Sequence, residues 1–318
     1  MTVTSVASAG VPCAPAEGAS GPGEILLARG TARERRPPLA VLAPYLQAAP
    51  LALILAVFLL VPILTIVVVS FWDYDFARII PDFVFTNYRE AFTAVTLRTY
   101  LNTLKYAAIV WAITTVVGFT VAYYLAFHIR TATMQIVLFL LCTVPFLTSN
   151  IIRMISWIPF LGRNGLLNSA LVDAGLVDAP LEFLLFSDFA VVLAMVHLYV
   201  LFMVTPIFNT LMRIDRTLIE AARDAGASGL QTLTNVIIPL AKPGIAIGSI
   251  FVVTLVMGDF ITVRFMSGGQ SASVGLMMAN QISLLQYPAA AAQAVILLVT
   301  VLIIVAAILR VVDIRKEL

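Results

Sequence analysis

The sequence predicts an all-α protein that crosses a membrane six times, and two observations carry that reading. Of its 318 residues, 61% are hydrophobic and 11% charged, with a mean hydropathy of +1.02. A soluble domain cannot carry that much apolar side chain on its surface. Six apolar segments are each long enough to cross a bilayer core of about 30 Å, which takes roughly 20 helical residues.

Taken in chain order, residues 1–45 are rich in Ala, Gly, Pro and Ser, with a basic cluster at Arg33, Arg35 and Arg36, and they read as a disordered tail. Residues 46–318 read as one transmembrane domain with no soluble module. Its first span covers 48–71. That run is too long for the apolar region of a signal peptide and lacks a convincing cleavage site, so it reads as a retained anchor. The second span is 100–126. The third, 134–152, is interrupted by Pro145, Ser149 and Asn150. Spans four to six fall at 188–211, 243–263 and 289–311, and a polar loop at 213–242 separates the fourth from the fifth.

Lys and Arg are distributed unevenly between the two sides. The tail, the turn near 130, the 212–242 loop and the C-terminus carry twelve, against six on the opposite side. Excess positive charge marks the cytoplasmic face, so both termini and the 213–242 loop are expected in the cytoplasm. A formal charge of +2 with no basic patch argues against nucleic acid. Cys13 and Cys142, one in the tail and one inside a span, make neither a disulfide nor a metal site.

The 213–242 loop holds a specific pattern: Glu220-Ala221-Ala222, three further residues, Gly226, then Ile237-Ile238-Pro239-Leu240. Asp215 can cap a helix with its carboxylate, and Glu220 is placed early in that helix, where the dipole favours negative charge. Ala221, Ala222 and Ala225 form a small-residue face that another protein can approach. Gly226 lets the chain turn, and Pro239 is expected to end the next helical stretch, giving two short helices joined at residues 226–229. An amphipathic loop lying on the membrane surface is the plain alternative. The pattern closely resembles the EAA loop of membrane subunits of binding-protein-dependent ABC importers. The resemblance implies a cytoplasmic coupling helix docked in a groove of the ATPase subunit, with Glu220, Ala221, Ala222, Gly226 and Pro239 as the coupling residues.

The likeness extends over roughly residues 50–312. The run Pro145-Phe146-Leu147-Thr148-Ser149, Ile152-Arg153, Trp157 and Leu161-Gly162-Arg163-Asn164-Gly165 to Asn168 looks like the P-F-x-T-S-x-x-I-R-x-x-x-W-x-x-x-L-G-x-N-G-x-x-N run of spermidine/putrescine-type permeases. Gly258-Asp259-Phe260, Gly268-Gly269, Tyr287-Pro288-Ala289 and Asn102-Thr103-Leu104 resemble the same group. Two departures bear on the cargo. Val263-Arg264 stands where the group usually has proline, and Gly118-Phe119-Thr120 where it often has G-Y-P. Relatives of the same architecture carry aminophosphonates, opines, iron complexes or thiamine.

The chain has no G-x-x-x-x-G-K-[ST] phosphate loop and no catalytic constellation, so ATP hydrolysis is expected in a separate subunit. His197, inside span four without a second ligand, reads as a hydrogen-bonded packing residue. Charges in the spans mark the route. Lys105 and Asp259 are expected a turn or so inside the outer ends of spans two and five, with Arg153 at the outer end of span three and Asn150 beside it. A Lys105–Asp259 ion pair that fixes packing is the alternative to a substrate role. The resemblance implies a type I importer permease fold, working with a second permease subunit, two ABC ATPase subunits and a periplasmic substrate-binding protein, in the bacterial inner membrane and without cofactor or metal. Its best substrate is a polyamine. A secondary transporter acting alone would show inverted halves, which the sequence lacks, and a membrane enzyme would need a polar catalytic cluster.

Overall fold

Apolar length sets these helices, and proline, serine, aspartate and glycine decide where they stop. The computed structural model describes residues 49–75, 78–129 and 131–312. The tail expected at 1–45 and the basic C-terminal end, including Lys316, lie outside them. The described residues from Leu59 onward form one compact unit, and residues 49–58, helical, belong to a separate unit.

Helix α1, Ala49–Val69, contains a π turn at Ala56–Leu60. A two-stranded antiparallel ribbon follows, β1 (Asp73–Asp75) against β2 (Arg78–Ile80), with Tyr74 opposite Ile79. A short helix α2 (Thr86–Ala91) leads into α3, Ala94–His128, which is longer at both ends than the expected 100–126.

The third span departs from expectation. Helix α4, Ala132–Thr143, tightens into a 3-10 turn at Val144–Leu147, and the chain then bends by 88° into α5, Asn150–Leu161, and α6, Leu166–Asp173. Pro145 removes a backbone donor, while Thr148 and Ser149 are extended, so a single helix over 134–152 cannot form. Five helices among the described residues are long and apolar enough to cross a membrane, and this bent pair makes a sixth when taken as one span.

Helix α7 runs Asp188–Leu211, as expected for span four, with Ser187 accepting the Ala190 N–H as its N-cap. Helix α8, Arg216–Asp224, is followed by α9, Gly229–Gly258, which includes a π turn at Leu233–Ile237. Pro239 therefore does not end a helix. The wide turn just before it displaces the carbonyl its ring would strike, and the helix continues for 19 residues beyond it to Gly258. Span five correspondingly stops at Gly258 rather than 263. The chain breaks at Asp259-Phe260 and restarts as α10, Ile261–Met266. After α11, Val274–Ser283, the last span is α12, Tyr287–Val311, with Pro288 in its first turn where a missing donor costs nothing.

The core is the mutual packing of α3, α7 and α9. Met195, Met203, Ile207 and Leu211 of α7, Tyr106 and Val110 of α3 and Val252, Val256 and Met257 of α9 are all buried. Gly244 of α9 makes the close approach possible, since a methyl group there would lie 2.7 Å from the Pro206 carbonyl oxygen and 2.5 Å from the Thr210 hydroxyl of α7.

Candidate functional site

Two polar regions stand at opposite ends of α7 and α9. One is the α8 loop that joins them. At its start Asp215 accepts the Thr217 N–H at 3.0 Å, which holds its carboxyl below the ordinary range. At its end Gly226, at φ +84°, closes a Schellman motif: its N–H donates to the Arg223 carbonyl at 2.8 Å, and that of Ala227 to Ala222 at 3.0 Å. Ser228 and Gln231 then form a capping box. Ile219 is buried and anchors α8 to the core, while Leu218, Glu220, Ala221 and Ala225 are exposed and Ala222 is half-buried. Both ends of α8 and the start of the helix that follows are thus capped by hydrogen bonds of the loop itself. Glu220 sits in the middle of α8 rather than in its first turn, and the acidic group at the helix start is the Asp215 cap.

The other region lies at the Asp188 end. Lys105 pairs with Asp188 at 2.6 Å, not with Asp259. The same carboxylate accepts the Tyr106 hydroxyl at 2.5 Å and the Ser271 hydroxyl. Asn102 donates to the Ala272 carbonyl at 2.8 Å, and Thr103 accepts the Val274 N–H at 2.9 Å. Thus α3, α7 and the segment before α11 are tied at one point. The expected Lys105–Asp259 pair fails because α7 brings a closer carboxylate to Lys105.

Asp259 is 7% exposed and has no cation within ion-pair distance among the described residues. It accepts the Tyr199 hydroxyl at 2.7 Å and, from Thr262, the N–H at 3.0 Å and the hydroxyl at 2.5 Å. It caps α10 instead of sitting within span five, because a carboxylate that takes the Thr262 N–H competes with helix continuation. Arg153 lies over the Phe146 ring at 5.6 Å, its Nε buried without a partner, and the Asn150 Oδ1 on the same helix face is likewise unpaired. Phe146 meets Phe202 edge-on, and Phe202 packs on Tyr199 and Phe251. Phe146, Phe202 and Phe251 wall a cavity of about 550 Å³ that continues past Asn209 to Arg213. Arg153 thus meets this cavity's aromatic wall through Phe146, and Asp259 bonds to Tyr199, whose ring packs on Phe202, while Lys105 belongs to a separate cluster.

Trp157 donates to His197 Nδ1 at 3.2 Å, the packing role expected of that histidine. Asn168 is buried and fixes its loop through the Gly162 and Leu181 carbonyls and the Leu181 N–H. Asp188, Tyr199, Thr262 and Ser271 were not singled out from sequence. Asp188 follows a Ser cap at the head of an apolar span, the one signal that marked it in advance.

Packed apolar helices long enough to cross a membrane, with a buried carboxylate and a capped polar loop between α7 and α9, define a polytopic membrane protein. The chain belongs to the family described as binding-protein-dependent transport system inner membrane component, whose model matches residues 114–317, and it is a multi-pass inner-membrane protein. It is 34% identical over 244 residues to the spermidine/putrescine transport system permease protein PotB of Escherichia coli K12, covering 76% of this chain and 87% of that one. Against PotB of Haemophilus influenzae the identity is 32% over 219 residues, covering 69% and 76%. The permease protein PotC of E. coli K12 matches 21% of the chain at 37% identity. A bacterial ABC transporter that imports the polysaccharide alginate shares the fold, with TM-score 0.68 and 16% identity over 86% of this chain and 96% of that one.

Proposed function

We propose that this chain is one of two membrane subunits of an ATP-driven importer that accepts a small organic amine of the spermidine/putrescine class from a periplasmic binding protein. The second permease is a homologue or a second copy, and two ATPase subunits dock at the cytoplasmic loop. Both termini and α8 face the cytoplasm, as the twelve-to-six distribution of Lys and Arg requires. The observation that carries the reading is the capped α8 block, which joins α7 to α9, the two most closely packed core helices, so that a force on Glu220, Ala221, Ala222 or Gly226 reaches the spans without being absorbed by a soft linker. ATP then biases a packing equilibrium between inward and outward opening.

The similarity to PotB supports the amine. So does Asp259, a buried carboxylate bonded to the Tyr199 hydroxyl and with no ion-pair partner among the described residues, where a protonated amine would supply the missing cation.

The test is substrate-stimulated ATPase and uptake in the reconstituted complex. Gly226 is exposed, at φ +84°, and an added Cβ meets nothing within 4 Å, so within this chain substitution acts through the backbone. Aspartate tolerates the left-handed region better than a β-branched residue does, which makes Gly226→Val the sharper variant and Gly226→Asp the milder. Stimulation and uptake are expected to fall together in Gly226→Val while basal ATPase persists. Unchanged coupling removes the loop from the mechanism.

A further inference from the structure

At the Asp188 end, the last turn of α1, the break after α9, α10, α11 and the first two turns of α12 enclose a groove of about 660 Å³. Its walls are mostly apolar, with Ile66, Phe260, Met278 and Ile282 on its sides and a run of small residues, Ala279, Ala290 and Ala291 among them, along α11 and α12. One charged residue lines it, Arg264 in the last turn of α10, which is exposed and has no ion-pair partner among the described residues. Tyr287, exposed at the head of α12, brings a hydroxyl to the same groove.

We propose that this groove binds a phospholipid of the surrounding membrane, its phosphate on Arg264 and Tyr287 and one acyl chain along the small residues of α11 and α12. Three features single out this occupant. The groove lies where α1, α9 and α12 terminate, which is the depth of headgroups rather than of the bilayer centre. A guanidinium and a phenol at the head of an apolar slot match the polarity of one lipid molecule from phosphate to chain. A fixed anionic partner from the protein is absent among the described residues, so the charge is free for phosphate. The lipid would abut Gly258 and Phe260, the residues flanking Asp259, and its occupancy would hold the break between α9 and α10.

The experiment uses the whole complex in native membranes, with a photoreactive benzoylphenylalanine in place of Ile282 in the groove. Irradiation is expected to yield a phospholipid adduct. Arg264→Gln should reduce adduct yield by about tenfold, the loss of one charge-assisted contact to the phosphate, and Ala279→Phe, which fills the slot, should abolish it. Native mass spectrometry of the purified complex should show the same ordering of retained phospholipid, with Arg264→Lys close to the parent. An adduct to a protein chain would overturn the proposal and make the groove a subunit contact. A lipid adduct indifferent to Arg264→Gln and Ala279→Phe would also overturn it, because it would report only bulk lipid passing the helix surface.

Discussion

Replacing Asp259 with Asn keeps the outline of the side chain and removes its charge, at a site where three donors already converge. The amide would present N–H groups to at least one of those donors, a local cost on the order of 1–3 kcal/mol. If the carboxylate takes the amine of the cargo, Asp259→Asn should assemble with its partners and lose most uptake, whereas Thr262→Val, which removes one donor and leaves the charge, should retain it. Co-purification of subunits alongside labelled-spermidine uptake checks this. Equal behaviour of the two variants would leave Asp259 as an α10 cap. A Lys105→Met replacement is not a rescue of Asp259, since it strips Asp188 of its cation. The charges Lys105, Arg153 and Asp259 were legible in sequence as costly intramembrane groups. Their partners were not, because which carboxylate reaches Lys105 depends on how α7 is rotated against α3.

Among the elements, the α8 block and the α7–α9 contact make separate predictions. Asp215 is fully exposed, and its carboxyl is held low by the bond from Thr217. Because the folded pKa is depressed, the cap contributes fully above the ordinary carboxylate pKa and fades as pH falls through its lower folded value. Hydrogen exchange at the amides of residues 216–219 should quicken in Asp215→Ala at neutral pH, and Asp215→Asn should restore protection without the acid dependence. Gly244→Ala should be more damaging, since the new methyl meets a backbone carbonyl that cannot move aside. Overpacking of this kind costs about 1–3 kcal/mol, read as a lowered unfolding temperature of the purified complex. The helix start at Asp215 and the turn at Gly226 were readable from residue type alone, because capping and positive φ are local properties. The run through Pro239 was not, because a π turn that accommodates a proline is paid for by packing of the whole of α9.

For the molecule as a whole, orientation is the prediction. Cysteine placed at position 223 should resist an impermeant label in intact cells, and cysteines at 82 and 173 should react. All three positions are exposed, so accessibility and not burial decides the outcome. External labelling at 223 would invert the arrangement and detach α8 from any ATPase.

The sequence by itself determined the class of this protein. Spans of about 20 apolar residues must be helical in a bilayer, where an unpaired backbone group costs several kcal/mol, and the EAA-like pattern with its capping residues is written in consecutive positions. Tertiary structure decided the rest. The grouping of Asp259 with Tyr199 and of Lys105 with Asp188, and the groove at Arg264, depend on residues far apart in the chain meeting across helix faces. Apolar periodicity does not encode those meetings, because nearly every face of such a helix is hydrophobic and only close packing, as at Gly244 against Pro206, selects which faces touch.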